Sequence, residues 1–533
     1  MNLPANRYFK ILALVCLMNS KAAVAQGQFV SSNIPIVIID TQGRKIHDDY
    51  RVTANMKVLD NGAQRNFVSD VANGYEGKIS IETRGSTSQS FPKKQYGIET
   101  QTSDGDNNNV SLLGLPEEND WILSSPYSDK SLIRNILAYK LSESLGHYAP
   151  RTRLCELLLN DEYVGVYVLT EKIKRDANRV NIAKLNPDEE QGDDVTGGYI
   201  IKIDKTTGDN CAGWHTETKS QYLQYEYPDC DEIIPAQKSY IQGYFNDFER
   251  KLFSNDFTDS TQGYWSLIDL NSTLDYLIIN ELSKNVDGYF FSTFMHKDKQ
   301  SKGGKLNFGP VWDYNIAFGN ANYRNGYTTD GLLAFKHPWW NRFLQDSVFC
   351  NRLKERWDNV RKNELSNTRI LNLIDSLALV LNEAQARNFE KWCILGKPLW
   401  PNYYVGTSYT DEIRFLKSWI INRLNWLDNN IPGEFESYAP FNEYEANVFP
   451  NPFDYFLTIS FLLEDDGYVS IDLLDMQGNS VASVLNEMPY KAGKHKITCS
   501  SFVNGNRLSN GVYLLVLKVD DTVVFTERII KKY

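Results

Sequence analysis

Long apolar runs, basic tracts and paired cysteine motifs are scarce in this 533-residue sequence. After the N-terminal stretch, no segment is apolar enough over about 20 residues to predict a membrane span. With no Lys/Arg tract and a formal net charge of −11, binding to nucleic acid phosphates is disfavoured. No C-x-x-C pair is present, which disfavours a cysteine zinc site. Neither G-x-G-x-x-G nor a Walker A motif occurs, so the two commonest nucleotide-binding loops are excluded.

The N-terminus has the pattern of a secretory signal peptide. Arg7 and Lys10 precede the apolar stretch 11–18, and a small-residue site ends at Ala25. The apolar stretch is too short for a membrane anchor. A lipoprotein anchored at Cys16 is the weaker alternative, because Val before this cysteine fits a lipobox poorly. We therefore predict export, with residues 1–25 as the signal peptide.

Six cysteines remain after the predicted cleavage, and export permits disulfides. Cys211 and Cys230 flank one polar, loop-like stretch and are the preferred pair. Free, buried thiols are the alternative for all six, since six cysteines allow fifteen connectivities.

One stretch, Asn271 to Gly319, organises the chain. Apolar residues recur at helical spacing in its first part, and Ser272 with Asp275 resembles a capping box. An aromatic strand, a Gly-Gly turn and a return strand follow. This order brings Asp287, at the helix end, and Asp313, after the hairpin, to the same edge.

Two carboxylates from separate turns suit phosphoryl transfer. One, Asp287, would orient or deprotonate an acceptor hydroxyl, and the other, Asp313, would hold Mg²⁺ on the phosphates. Both residues would alternatively be plain turn residues. A carboxylate pair also fits a glycosidase, although a glycosidase would leave the lysine-bearing loop at 84–98 unexplained.

The sequence around these carboxylates resembles the CotH kinase family of secreted, atypical protein kinases. The resemblance rests on Asn-Val-Asp-Gly-Tyr at 285–289 and Gly-Pro-Val-Trp-Asp-Tyr-Asn-Ile-Ala-Phe-Gly at 309–319, and it spans roughly 75–320. It implies a protein kinase that uses ATP and Mg²⁺, with Mn²⁺ as a substitute, to phosphorylate Ser or Thr of secreted or surface proteins.

The resemblance also assigns nucleotide-binding candidates. Arg84-Gly85-Ser86, followed by Phe-x-Lys-Lys-x-Tyr at 91–96, is similar to the family's nucleotide loop. It implies roles for Arg84, Ser86 and one of Lys93 and Lys94, between which the sequence does not choose. A loop of small residues can close over phosphates through backbone N–H groups and hydroxyls. A plain polar hairpin is the alternative.

The resemblance also covers positions that would support the nucleotide and metal site. Glu171 ends a strand in the family pattern and would pair a phosphate-binding lysine. Asn315 stands where the family usually has a second Asp, and it can still offer Mg²⁺ a neutral oxygen. Asp129, Arg134 and Asn135 would support the site. Ser292 lies five residues after Asp287, where a kinase catalytic loop has an asparagine for the second Mg²⁺. Because of Asn315 and Ser292, an inactive pseudokinase is an open alternative.

The last segment resembles the type A sorting domain of the type IX secretion system. The resemblance rests on Pro-Asn-Pro-Phe at 450–453, Gly-Val-Tyr at 511–513 and a basic end. It implies a Bacteroidetes-type bacterium, the type IX machinery as partner, and a secreted or cell-surface location reached through the periplasm and outer membrane.

Together these patterns predict an α+β protein, with an atypical kinase-like core and a helical C-lobe from about 339. A small β layer precedes the core and a β-sandwich follows it. The predicted boundaries are 1–25 signal peptide, 26–75 β segment, 76–435 kinase-like domain, 436–446 linker and 447–533 sorting domain. The competing functions are a non-catalytic surface adhesin or coat-assembly protein, and a carbohydrate-binding or hydrolytic protein.

Overall fold

The N-terminal part of the protein is a closed barrel of seven strands. The computed structural model describes residues 29–206, 212–433, 446–453, 456–463, 465–500, 502–503 and 506–532. The barrel strands are β1 (Ile36–Asp40), β2 (Val52–Leu59), β3 (Tyr75–Arg84), β4 (Gln95–Gln101), β5 (Asp120–Ser124), β6 (Thr152–Leu159) and β7 (Glu162–Glu171). Their order is β1-β2-β3-β4-β5-β7-β6, and β6 closes the barrel parallel to β1. Closure leaves no free sheet edge between these strands.

The predicted N-terminal β segment is therefore not a separate layer. Its strands β1 and β2 lie in the barrel, next to β6 and β3. The apolar run of β1 explains this position, because Ile36, Val37 and Ile39 are all buried. Val37 and Ile39 belong to the barrel core, whereas Ile36 belongs to a separate small cluster with Leu59 and Leu158. Both faces of the strand are therefore covered.

A second, five-stranded sheet carries the hairpin that lies between Asp287 and Asp313. Its strands are β8 (Tyr199–Ile203), β9 (Trp214–His215), β10 (Tyr222–Tyr227), β11 (Thr293–Lys297) and β12 (Leu306–Phe308). Their order is β9-β10-β8-β11-β12. Strand β8 pairs antiparallel with β11, with Ile203 opposite Thr293. The residues after β8 consequently lie beside the loop that precedes β11.

Eight helices surround this sheet in the part of the chain that the structure describes. They are α1 (Arg134–Ser144), α2 (Pro235–Leu252), α3 (Leu270–Ser283), α4 (Pro338–Phe343), α5 (Ser347–Lys362), α6 (Asn367–Val380), α7 (Ala384–Lys391) and α8 (Tyr409–Asn430). Helices α4 to α8 form the predicted helical lobe. Their aromatic and aliphatic stripes are core, with Trp339, Trp340 and Trp357 almost fully buried.

The N-terminal cap of α3 differs from the prediction. Asp269, not Ser272, is the cap, and its carboxylate accepts a hydrogen bond from the Ser272 N–H at 2.8 Å. Asp275 instead binds Arg356 through two hydrogen bonds of 2.7 and 2.9 Å. The capping box was mislocated because Ser and Asp side chains both cap helices, and three residues separate the two candidates.

The hairpin after α3 is shorter than predicted. Its strands are β11 and β12, whereas Tyr289 and Ser292 have positive φ angles of 73° and 51°. These left-handed residues turn the chain between the helix end and β11. The aromatic composition of 289–296 predicts a strand from Tyr289 onward, but tertiary packing of Tyr289 against Trp340 at 4.8 Å holds a turn there instead.

The C-terminal module is a β-sandwich of two antiparallel sheets. Its strands are β13 (Asn447–Phe449), β14 (Phe456–Leu463), β15 (Gly467–Leu474), β16 (Ser480–Tyr490), β17 (Gly493–Ser500), β18 (Gly511–Val519) and β19 (Thr522–Lys531). One sheet has the order β13-β14-β17 and the other β16-β15-β18-β19. The module has its own apolar core, formed by residues of both sheets.

This module docks on helix α8 through the edge strand β17. The Asn425 side-chain amide donates to the Thr498 carbonyl, and its Oδ1 accepts from the Thr498 N–H at 2.9 Å. Asn367 adds a hydrogen bond of 2.9 Å to the Thr498 hydroxyl. A side-chain amide therefore occupies the backbone groups that a neighbouring strand would bind.

Several predictions fall on residues outside the described ranges, namely the signal peptide and nearly all of the linker. Cys230 is disulfide-bonded, and its predicted partner Cys211 lies outside the described residues. Cys155, Cys350, Cys393 and Cys499 are free thiols. Within the described ranges, none of the helices has both the length and the apolar character needed to cross a membrane.

Candidate active site

The two predicted aspartates come from the two elements that the sequence indicated. Asp287 lies four residues after the end of α3, and Asp313 lies five residues after β12. Gly288 is packed so tightly that a Cβ there would lie 2.3 Å from the Asn280 Oδ1. No larger residue fits at this position without moving the turn, so the glycine fixes the course of the chain beside Asp287.

A network from helix α1 holds the Asp313 segment. The Asn135 Oδ1 accepts the Tyr314 N–H at 2.7 Å, and the Asp313 N–H donates to the Tyr139 hydroxyl at 3.3 Å. Asn285 donates to the Asp313 carbonyl at 3.2 Å, which ties the two aspartate turns together. The left-handed φ of 61° at Asp313 is strained for a non-glycine residue. These bonds hold it in place.

Two predicted supporting residues, Arg134 on α1 and Asp129 before it, act on the loop at Ala317, four residues after Asp313. Arg134 and Asp129 form a buried ion pair of 2.5 Å. The Arg134 Nε donates to the Ala317 carbonyl at 3.1 Å. Arg134 and Asn135 therefore contact the Asp313–Ala317 segment directly, and Asp129 holds Arg134 in place.

The Asp313 carboxylate is exposed, but it lies in a cleft whose walls reduce its solvation. This partial desolvation, together with repulsion from Asp287 and Asp204, raises the pKa of Asp313 to about 6. Lys205 and Arg84 oppose the rise. The cleft therefore concentrates negative charge that a divalent cation would neutralise.

Asp287 is half-buried in the same cleft. Desolvation raises its pKa, and the positive charges of Lys205 and Arg324 oppose this effect. The Arg324 Nη1 lies 3.9 Å from the Asp287 Oδ1, and the Tyr323 hydroxyl also lowers the pKa of this carboxylate. A raised pKa on a solvent-accessible carboxylate is a common property of catalytic bases.

Arg84 is the nucleotide-loop candidate that the structure brings to this cleft. Its guanidinium lies 5.8 Å from the centre of the Trp312 ring, which stacks on Tyr139 at 6.0 Å. The charges of Asp313 and Glu226 act on it, while desolvation lowers its pKa. Arg84 thus extends from the end of barrel strand β3 toward the carboxylates of the second sheet.

The two lysines after this loop are placed elsewhere. The Lys93 ammonium is buried and donates to the Val166 carbonyl at 2.5 Å and to the Asn388 Oδ1 at 2.8 Å. Burial lowers the pKa of Lys93 to about 7. The Lys94 ammonium donates to the Gln89 carbonyl at 2.6 Å within its own loop. These contacts argue against the predicted phosphate role of either lysine.

Three further candidates also lack the predicted contacts among the described residues. Glu171 pairs with Arg151 at 2.9 Å, not with a lysine. Ser86 is exposed at the start of a short 3-10 turn. The backbone carbonyl of Asn315 accepts from the Asn320 amide at 2.8 Å, and this contact helps to fix the loop. Metal ligation by Asn315 stays a prediction.

Four charged residues of the cleft were missed by the sequence interpretation. Asp204 and Lys205 follow strand β8, and their charges act on both Asp287 and Asp313. Lys202 and Glu226, on neighbouring strands, form an ion pair of 3.0 Å near Arg84. The signal that could have found two of them is the residue pattern of 199–204. Alternation of charged and apolar residues along this strand would have placed Lys202 and Asp204 on one face.

The donor set of the cleft fits Mg²⁺ held together with phosphates. Mg²⁺ is usually bound by one or two carboxylates plus substrate phosphates, not by a complete protein cage. Among the described residues, only Asp229, Cys230 and Asp231 already place three ligand atoms close together. Cys230 is disulfide-bonded there and offers no thiolate. Asp287 and Asp313 match the looser arrangement expected for Mg²⁺ with a nucleotide.

The fold and the charged cleft define a kinase-like protein with a β-sandwich tail. A family model for CotH kinase protein matches residues 81–427, and a model for the secretion system C-terminal sorting domain matches residues 447–532. The chain belongs to the CotH kinase protein family. Its tail identifies it as an exported protein of the cell surface or the medium, which interacts with secretion machinery.

Other comparisons add little. No curated protein matches the sequence. Among solved structures, the chain is similar to the Pseudomonas fluorescens alkylpurine DNA glycosylase AlkC bound to DNA containing an abasic site analog, with 11% identity. This likeness covers 37% of the present chain and 56% of that chain, with a TM-score of 0.14. Such a low TM-score supports no conclusion about fold or function.

Proposed function

We propose that this exported protein is an active protein kinase that transfers the γ-phosphoryl group of ATP to Ser or Thr hydroxyls of secreted or surface proteins. The observation that supports it most strongly is the cleft itself. The charges of Asp287 and Asp313 act on each other, and Lys205 and Arg84 oppose them. Glu226, which pairs with Lys202, acts in turn on Arg84. Negative groups for a metal and positive groups for phosphates therefore occur side by side, as phosphoryl transfer requires.

Each residue then has a distinct role. Asp313 would hold Mg²⁺, with Asn315 as an additional ligand, and the bound metal would neutralise charge on the phosphate oxygens. Arg84 and Lys205 bind phosphate oxygens. Asp287 orients the acceptor hydroxyl and takes its proton as the hydroxyl oxygen bonds to phosphorus and ADP leaves.

In this proposal, Lys202 takes the phosphate role that the sequence assigned to Lys93 or Lys94. In protein kinases, a strand lysine paired with a glutamate contacts the α- and β-phosphates. Here Glu226 holds Lys202 at 3.0 Å, and the charge of Glu226 also acts on Arg84. The pair joins two neighbouring strands of the second sheet, so the lysine is well positioned before nucleotide binds.

The test compares two lysine variants of the purified protein. Lys202→Met should weaken Mg²⁺-dependent ATP binding by roughly tenfold or more, because a lost charged hydrogen bond is worth about 1.5–3 kcal/mol. Lys94→Met is the matched control and should bind ATP like the wild type. Calorimetric titration with and without Mg²⁺ measures both. Equal affinities of the two variants would contradict the role of Lys202.

The same titration separates the kinase from the non-catalytic alternative. A wild-type protein that binds no nucleotide with Mg²⁺ or Mn²⁺ would favour the adhesin or coat-assembly function. The charged cleft would then be a structural feature, and Asp287 and Asp313 would be turn residues.

A further inference from the structure

A loop beside the cleft, residues 320–334, is held by side chains of two helices. The Lys284 ammonium, just after α3, donates to the Thr328 hydroxyl at 2.6 Å and to the Thr328 carbonyl at 3.1 Å. The Trp419 indole, on α8, donates to the Tyr327 carbonyl at 2.8 Å. Helices α3 and α8 therefore set the course of this loop.

A buried ion pair adds further bonds to the same loop. Glu281 and Arg423 are fully buried and lie 3.0 Å apart. The Glu281 carboxylate accepts the N–H groups of Leu333 and Ala334 at 3.0 and 2.7 Å. The Arg423 guanidinium donates to the Gly331 carbonyl at 2.8 Å. A loop that is bound at several of its backbone groups is already ordered before a ligand arrives.

The ordered loop places Arg324 beside Asp287. The Arg324 Nη1 lies 3.9 Å from the Asp287 Oδ1 and donates to the Val286 carbonyl at 3.4 Å. Gly326 packs so closely on Val286 that a Cβ would lie 2.7 Å from the Val286 Cγ1. The loop and the Asp287 turn are therefore tied together at two points.

The backbone at Arg324 is unusual for a residue with a long side chain. Its φ of 52° lies in the left-handed region, and Asn325 after it has a φ of 59°. Such residues persist where the surrounding structure holds them, and they cluster at functional sites. The bonds from α3 and α8 supply this constraint and keep the arginine at Asp287.

Arg324 acts on one of two carboxylates that could both bind a metal. Asp287 and Asp313 carry the hard oxygen atoms that Mg²⁺ prefers. Lys205 and Arg84 act on Asp313 through their charges, and Lys205 and Arg324 act on Asp287. A fixed positive charge in ion-pair range of a carboxylate competes with a metal ion for that carboxylate.

We propose that Arg324 is a positioning residue that keeps Asp287 free for the acceptor hydroxyl and leaves the metal to Asp313. This inference rests on the proposed kinase function. At 3.9 Å the guanidinium is too far from the carboxylate for a hydrogen bond, so it acts through its charge. Without that charge, the Asp287 carboxylate would turn toward the metal. It would then no longer take the hydroxyl proton as the hydroxyl oxygen bonds to phosphorus and ADP leaves.

The test measures the affinity of the purified protein for Mn²⁺ with a non-hydrolysable ATP analogue by calorimetric titration. Arg324→Gln should bind about fivefold more tightly than the wild type, the size expected from a half-exposed charge pair. Asp287→Asn alone should bind like the wild type, and adding it to Arg324→Gln should abolish the gain. Arg352→Gln is the matched control, because it removes the same charge from a similarly exposed side chain on α5.

Turnover separates this role from a role at the phosphates. Arg324→Gln should autophosphorylate about 10–100-fold more slowly despite its tighter metal binding, because a small misplacement of a catalytic group has an effect of this size. Arg324→Lys keeps one nitrogen and its charge and should restore most of the rate. Unchanged or weaker binding by Arg324→Gln, the same gain in the Asp287→Asn background, or wild-type turnover would overturn the proposal. An Asp287-dependent gain in affinity, in a protein whose wild type never autophosphorylates, would refute the kinase function and leave the effect of Arg324 on metal binding intact.

Discussion

The pKa of Asp313 leads to a prediction about metal-nucleotide binding that can be tested without knowing the substrate. A carboxylate must be ionised to bind a hard cation. With a pKa of about 6, its ionised fraction falls from about nine-tenths at pH 7 to about one-tenth at pH 5. We therefore expect the affinity for Mg²⁺ with a non-hydrolysable ATP analogue to fall by roughly tenfold over this range.

Folding stability should change in the opposite direction. The folded-state pKa of Asp313 is raised from 3.8 to about 6, so the folded protein binds a proton more tightly than the unfolded chain between these values. The ionised carboxylate therefore destabilises the metal-free fold fully above pH 6, and this effect disappears as the pH falls toward 4. Asp313→Asn should raise the unfolding temperature at pH 7.5 but not at pH 4.

The assay combines calorimetric titrations at pH 7, 6 and 5 with thermal unfolding of the metal-free protein. Nucleotide phosphates also titrate near pH 6, so the pH slope needs a reference. Asp287→Asn should keep most of the wild-type slope, whereas residual binding by Asp313→Asn should show only the slope of the nucleotide. A wild-type slope in Asp313→Asn, or a lower unfolding temperature of that variant at pH 7.5, would refute the reasoning.

Three further predictions concern catalysis, stability and export. Asp287→Asn should lower autophosphorylation by about 10²–10⁴-fold while ATP binding survives, because the residue acts in proton transfer; wild-type autophosphorylation would contradict this. Arg423→Leu should destabilise the helical lobe by about 3–5 kcal/mol in chemical denaturation, because it leaves the fully buried Glu281 without its ion pair of 3.0 Å. The exposed pair of Arg352 is the control, and Arg352→Ala should change stability by less than about 1 kcal/mol. Deletion from Asn447 onward should leave a cooperatively unfolding protein that stays inside the cell, and loss of cooperative unfolding would argue against this domain boundary.

Local sequence patterns were sufficient to locate the two aspartates and the helix and strand that precede them. The helix before Asp287 and the return strand before Asp313 both depend on short-range periodicity, which a sequence displays directly. Arg84 became a candidate only through the family resemblance of its loop. The family comparison confirms the kinase-like domain and the sorting domain, both of which have compact motifs.

The partners of charged side chains could not be predicted in the same way. Lys93 contacts Asn388, which is 295 residues away in sequence, and Glu171 pairs with Arg151 across a strand pair. Nothing local distinguishes a lysine that points into a core from one that points into a cleft. Alternation along β8 places Lys202 and Asp204 on one face, but it does not show which charged groups of other elements that face meets.

The docking of the sorting domain has a consequence for the protein during export. An uncovered edge strand can pair with the same strand of another copy, and many exported copies in one compartment make such pairing frequent. At Thr498 this edge is already bonded to the Asn425 amide of the kinase-like domain. The kinase-like domain thus protects the edge of its own sorting domain from self-association. Removal of the sorting domain would leave the Asn425 amide exposed on helix α8.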